Sequence, residues 1–234
     1  MTNKVFQSFY LAIIGHNLHI DYFNSEDENS HHQKKYLMPD ILDDNLNLSI
    51  LSKFILEKVK DFEKDIGSFI EKINVITDAK YDQFSLSLKN KYNSNQINET
   101  DVVRLISDAK QFIMRNNKNC FILHVLVDKY IIDGKEYFEF PENFDCKEFI
   151  IDVSFITVQN LIVKTLNRVL KNCNIEVKKI ISHQYSRRFA NNDDTSPCIA
   201  GKKVVEGINT SEVIIQNAHT KRRGLFEKMF NFFS

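Results

Sequence analysis

Glycine and proline are scarce in this chain, tryptophan is absent, and neither sign of charge prevails. There are six glycines, three prolines and no tryptophan in 234 residues. The glycines stand at positions 15, 67, 134, 201, 207 and 224, and no two lie within five residues of each other. A loop that cradles phosphate on backbone N–H groups needs several Cβ-free residues close together. No phosphate loop of a familiar kind can be assembled, and neither GxxxxGK[ST] nor GxGxxG occurs. HExxH and GxSxG are missing as well, which removes two common hydrolase signatures. Thirty-one basic and thirty-one acidic side chains cancel, so no global field draws the chain to nucleic acid. Cys120, Cys146, Cys173 and Cys198 are widely spaced, with no CxxC pair and no His at zinc-finger distance. They read as reduced cytosolic thiols. The apolar run at residues 9–14 is too short to span a membrane and has no small-residue cleavage site. No metal, no cofactor and no nucleic-acid partner is expected, and the chain is expected in the cytosol unless it lies on a membrane.

What is present is a mixed α/β pattern. Residues 5–14 and 18–23 predict a β-hairpin around Gly15-His16-Asn17. Residues 24–35 are polar and predict a loop. Leu48, Leu51, Ile55, Val59, Phe62 and Ile66 repeat at helical spacing, and Gly67 is a stop signal. Residues 70–77 predict a strand, and the alternation of Phe84, Leu86 and Leu88 predicts another. Residues 98–115 predict a helix with Thr100 as N-cap and an apolar face of Val102, Val103, Leu105, Ile106, Ala109, Phe112 and Ile113. Strands follow at 120–132, ending on the turn dipeptide Asp133-Gly134, and at 147–156. A helix is predicted at 161–170, a strand at 177–182 and a short helical piece at 184–190. From Asn191 to Gly201 the chain turns polar and is expected to leave the compact body. Residues 204–216 read as a late strand or a tether, and residues 221–233 as a last helix.

Few side chains suggest chemistry. His16 and His19 flank the first turn, but an HxxH on an extended segment points its rings to opposite faces. His31-His32 sit in the polar stretch, and His124, inside an apolar strand, reads as a satisfied core or edge residue. Asp43-Asp44 and Asp193-Asp194 read as solvated charge. No catalytic constellation emerges, and the chain is not expected to be an enzyme.

The middle of the chain resembles a known family. Residues 99–134 run ETDVVRLISDAKQFIMRNNKNCFILHVLVDKYIIDG, followed by the strand FIIDVSFIT, Gln159-Asn160 opening a helix, and Asn174-Ile175-Glu176-Val177 leading into KKIIS. This order resembles FtsA, the actin-like cell-division protein that holds the FtsZ ring to the bacterial inner membrane. The resemblance covers roughly residues 45–190. It implies residues 1–78 as the first part of an actin-like subdomain, 79–156 as an inserted FtsA-type interaction subdomain, and 157–190 as the return into the actin-like subdomain. Residues 191–220 would then be a linker and 221–234 a membrane-targeting amphipathic helix. There are departures. The family's first hairpin carries an Asp-Ile-Gly-Thr type phosphate loop, where this chain reads Ala12-Ile13-Ile14-Gly15-His16-Asn17-Leu18. The second phosphate loop is replaced by NNDDTSPCIAG after the strand at 177–182, and the turn at 157–159 is tighter than the family's. The family's second half, which completes the ATP cleft and carries the FtsZ-binding surface, has no counterpart, which puts FtsZ binding in doubt.

The C-terminus is informative on its own. At 100° per residue, Leu225, Phe226, Met229, Phe230, Phe232 and Phe233 fall within an arc of about 160°. Lys221, Arg222 and Arg223 precede them. An aromatic face with a basic start suits an interfacial anchor on anionic lipid; the competing reading is a terminal helix docked on the chain's own core. The leading expectation is a membrane-associated, non-enzymatic FtsA-like adaptor, peripheral on the cytoplasmic side of a bacterial inner membrane. It would meet division proteins, or copies of itself, through the inserted subdomain. The alternatives are half of an actin-like ATPase completed in trans, a pilus-assembly relative, and a decaying gene product.

Overall fold

The computed structural model describes residues 7–24, 31–39, 48–141, 145–192 and 194–213, the side chains of 48, 49 and 92–96 excepted. The described residues divide into two compact units, those up to 80 with 159–208, and 81–158 with 209–213.

The first unit is built on a five-stranded sheet. Strands β1 (Gln7–Ile14) and β2 (Asn17–Asn24) form an antiparallel hairpin closed by Gly15 at φ +53°. That left-handed conformation is open to glycine without a Cβ penalty. Strand β3 (His31–Leu37) continues the meander along β2. Here the expected loop is corrected, because residues 31–35 are strand. An edge strand needs no apolar alternation, and β3 is solvent-exposed at most of its positions. Helix α1 (Leu48–Ile66) has the predicted bounds and buries Leu51, Ile55, Val59 and Phe62. Strand β4 (Lys72–Thr77) lies parallel to β1.

The chain then leaves for the second unit and returns in helix α3 (Asn160–Asn172) and strand β9 (Glu176–Ser182), which is parallel to β4. The order is β3-β2-β1-β4-β9. Phe9, Tyr10, Leu11 and Ala12 are all buried, as are residues 73–77, so both faces of the central strands are covered. Helices α1 and α3 pack on each other, and helix α5 (Pro197–Val205) packs on β1, β2, β4 and β9. The short helical piece expected after β9 is present, as α4 (His183–Ser186) and one 3-10 turn at Arg187–Phe189.

Helix α5 corrects the expected linker at 191–220. Ser196 caps its first turn with Pro197 at the first helical position, and Cys198, Ala200, Gly201 and Val204 are buried. The polar run before it conceals a capped helix whose apolar face is made of small residues, too weak a stripe to stand out by period.

The second unit is a four-stranded sheet of order β5-β8-β6-β7 with one helix on it. Its strands are β5 (Tyr81–Gln96), β6 (Cys120–Ile132), β7 (Lys135–Tyr137) and β8 (Asp145–Gln159). Helix α2 (Glu99–Asn116) buries Val102, Val103, Ile106, Ala109 and Ile113. These join Val125, Val127, Phe149, Ile151, Val153 and Phe155 in one core. The cap of α2 is Asn98, not Thr100. Asn98 accepts from the Asp101 N–H, and Asp101 reaches back to the Asn98 N–H, a reciprocal capping box. The expected fold class, a mixed α/β subdomain with a smaller α/β unit inserted in it, stands.

Candidate functional site

The hairpin turn of the first unit is where a nucleotide phosphate loop would lie under the resemblance. The Gly15 N–H, the donor at the tip of that turn, is already used: it donates to Asp78 Oδ2 at 2.5 Å. Asp78 follows β4 directly, and its own N–H donates to the Ile13 carbonyl at 3.3 Å. The His16 carbonyl accepts from Met38 N–H at 2.7 Å. A carboxylate thus stands where a phosphate would need a donor, and its charge opposes an anion there. His183 opens α4 beside this region. Its Nδ1 is buried and has no hydrogen-bond partner among the described residues. Burial first, and then the charge of Arg187, depress its pKa, while Asp78 acts the other way. His19, inside β2, is depressed by burial, against the pull of Asp21. Burial that disfavours the imidazolium form at His19 and His183 also withholds positive charge from any anion here. Among the described residues no three His, Cys, Asp or Glu side chains converge as for a metal ion.

A second cluster surrounds Asp21, which is fully buried in β2. His31 Nε2 lies 2.8 Å from Oδ2, and the Ser196 hydroxyl donates to Oδ1 at 3.0 Å. The residue types are those of a hydrolase triad, but the connectivity is not. Serine and histidine both bond the same carboxylate and do not bond each other, so no base faces the hydroxyl. Burial holds the Asp21 carboxyl above its ordinary range, against the hydrogen bonds from His31, Ser196 and Cys198. Burial likewise pushes the Cys198 thiol well up, so it is no nucleophile. The cluster ties the α5 cap to β2 and β3. Asp21→Ala strands these donors and leaves a void, an expected loss of about 3 kcal/mol. The melting temperature should fall by roughly 6–12 °C at this chain length; thermal unfolding followed by circular dichroism checks it, and a change under 2 °C would show that the tie is idle.

In the second unit, His124 is buried as expected, with Nδ1 2.8 Å from Glu212 Oε1. Glu212 belongs to a short extended segment, residues 211–213, that pairs antiparallel with β6. Val127 N–H donates to the Ser211 carbonyl and Val213 N–H to the Val125 carbonyl, both at 2.8 Å. Val213 enters the core of this unit. Sequence reasoning missed Glu212, because 88 residues separate the partners and nothing local marks it. The other side of the sheet ends in β5, where Asp82, Gln83, Ser85, Ser87, Lys89 and Lys91 are exposed. Asp194, expected to be solvated, is instead half-buried, accepting from Lys203 Nζ at 2.9 Å and Asn191 N–H at 2.8 Å. These bonds lower its pKa despite burial, which acts first in the other direction. Asp43, Asp44 and Asp193 lie outside the described residues, as do Lys221, Arg222, Arg223, Leu225, Phe226, Met229, Phe230, Phe232 and Phe233. Among the described residues no helix is long and apolar enough to cross a membrane.

Residues 82–157 match the family described as the SHS2 domain inserted in FtsA. No curated protein matches the chain. Among solved structures, it is similar to the cytoplasmic domain of EpsL, an inner membrane component of the type II secretion system of Vibrio cholerae. There the identity is 10% and the TM-score 0.40, over 77% of this chain and 59% of that one. It is similar to the PilM-PilN type IV pilus biogenesis complex at 10% identity and a TM-score of 0.43, over 78% of this chain and 49% of that one. A Bacteroides thetaiotaomicron protein with an actin-like ATPase fold and unknown function matches at 12% identity and a TM-score of 0.35, over 78% and 55%. The chain thus spans about half to three-fifths of the length of these structures.

Proposed function

We propose that this FtsA-like chain, which carries in residues 82–157 the SHS2 domain that FtsA has inserted, is a non-catalytic adaptor on the cytoplasmic face of a bacterial inner membrane, engaged in cell division. The inserted unit would supply its protein contacts, and residues 221–233 its hold on anionic lipid. The observation that carries the non-catalytic part is the carboxylate of Asp78 on the Gly15 N–H. A working phosphate site keeps such a donor for the ligand and places cations or further N–H groups around it. Here the donor is spent on an anion.

Calorimetric titration of the full chain with Mg-ATP tests this. No saturable heat is expected up to millimolar nucleotide, and phosphate release should stay at background. Asp78→Asn should behave the same, because freeing one N–H does not build a cradle. Micromolar affinity in the wild-type chain would overturn the reading and favour an ATPase.

A further inference from the structure

Strand β6 would be an edge of the second unit's sheet if nothing lay against it, and edge strands of this kind accept other strands. Two pieces of the same chain cover it: β7 at residues 130–132 and the segment 211–213 at residues 125–127. The second piece is short. The Ser211 carbonyl and the Val213 N–H bond the strand's backbone, Glu212 meets His124, and Val213 enters the core. Residues up to Ile208 belong to the first unit and those from Asn209 to the second. The chain reaches β6 from Gly207, whose φ of +80° makes the turn. The segment is a strap laid on the strand, and it shows what the strand binds.

We infer that the β6 edge, between His124 and Val127, is a strand-acceptor site for an extended peptide of a partner protein carrying a glutamate followed by a β-branched apolar residue, and that the chain's own strap, residues 211–213, is its resident competitor. The chemistry is specific. Val125 offers a carbonyl and Val127 an N–H at the edge, which fixes the register of any incoming strand. His124, 1% exposed, requires an acceptor or an anion beside Nδ1, since a buried polar atom left without a partner is costly. The core opens beside Val125 and Val127 to admit one side chain the size of Val213. A lysine in place of the glutamate would set a cation where the imidazole now meets a carboxylate. By this edge the proposed adaptor would hold a protein. That assignment rests on the adaptor reading, but the pairing itself is measured without membranes or nucleotide, so the two fail separately.

The test uses the full chain and a fluorescent peptide of residues 208–216 (INTSEVIIQ). Leu126 and Glu212 face each other as a non-hydrogen-bonded pair, the close-set position for a disulfide. In Leu126→Cys with Glu212→Cys, carrying Cys120→Ser and Cys173→Ser to remove the partly exposed thiols, oxidation locks the strap down and reduction frees it. Saturable binding is expected in the reduced form, at least tenfold weaker or absent in the oxidised form, and at least tenfold weaker for the peptide with lysine in place of its glutamate. Val213→Pro removes the strap's N–H donor in an otherwise wild-type chain and should bind the peptide at least tenfold more tightly than wild type, which keeps the test valid if the cysteine variant fails to fold. A second copy donating its own strap would appear as concentration-dependent dimers that the peptide dissociates, and this supports the site. Equal binding in locked and released forms, indifference to the charge reversal, or no binding by folded Val213→Pro overturns it.

Discussion

Gly201→Val will lower the melting temperature of this protein by roughly 6–12 °C, the equivalent of about 3 kcal/mol at this size. Helix α5 lies so close to the sheet at this point that a Cβ on Gly201 would stand 2.6 Å from Ile76 Cγ1 and 2.8 Å from Ile76 Cδ1. Ile76 cannot retreat easily: it is fully buried in β4 and paired across to Ile181 in β9, also fully buried. Two effects compete when Gly201 becomes alanine. Helix propensity favours the change by about 1 kcal/mol, and overpacking opposes it by about 1–3 kcal/mol. Overpacking should win narrowly, so Gly201→Ala is expected to be mildly destabilising. Valine gains less in propensity and adds two methyl groups to the clash, so the loss grows. Ile76→Val, which removes one of the opposing carbons, should cost less in the Gly201→Ala background than alone, and a double-mutant cycle measures that coupling. A Gly201→Val chain melting within 2 °C of wild type would mean that α5 does not sit where it is described, and the tie through Asp21 would lose its meaning as well.

That contact also shows where sequence reading ends. Helix α1 and strand β6 are legible to the residue, because apolar positions repeat at helical spacing in α1, β6 is a long apolar run, and glycine or Asp133-Gly134 closes them. Strand β3 is not legible. Its role is to cover an edge, and HHQKKYL has the composition of a loop. Helix α5 is hidden for a different reason: a helix that packs closely uses Ala and Gly where a more distant one uses Leu, and the period then loses contrast. The cap of α2 is marked by Asn98-x-x-Asp101, a reciprocal pair, whereas Thr100 offers a capping side chain with no partner three residues on. That residues 12–18 form no familiar phosphate loop is plain in their wording, but the bond from Gly15 to Asp78 is not, because the two segments lie 63 residues apart. The pair His124–Glu212 is long-range in the same way. Local signals mark elements; the sites depend on which strand ends the topology brings together.

Removing residues 221–234 should transfer this protein from the pellet to the supernatant when it is centrifuged with anionic vesicles. Four phenylalanines, one leucine and one methionine share one face of a helix drawn through residues 225–233. Each contributes on the order of 1–2 kcal/mol when partly buried in lipid. Folding the segment and immobilising it at the interface oppose this, so the net is far below the sum. Lys221, Arg222 and Arg223 add about 1 kcal/mol each near an anionic leaflet. Binding of that size is reversible, lipid-dependent and salt-sensitive, unlike a spanning helix. Phe226→Glu or Phe230→Glu should act like the truncation, because each sets a charge in the apolar face. Lys221→Ala with Arg222→Ala should weaken binding chiefly at low ionic strength, where screening is least. Neutral vesicles separate the two contributions, since the aromatic face still binds them and the cations do not. If the truncated chain unfolds or aggregates instead, the segment is part of the protein's own core, and the membrane role fails.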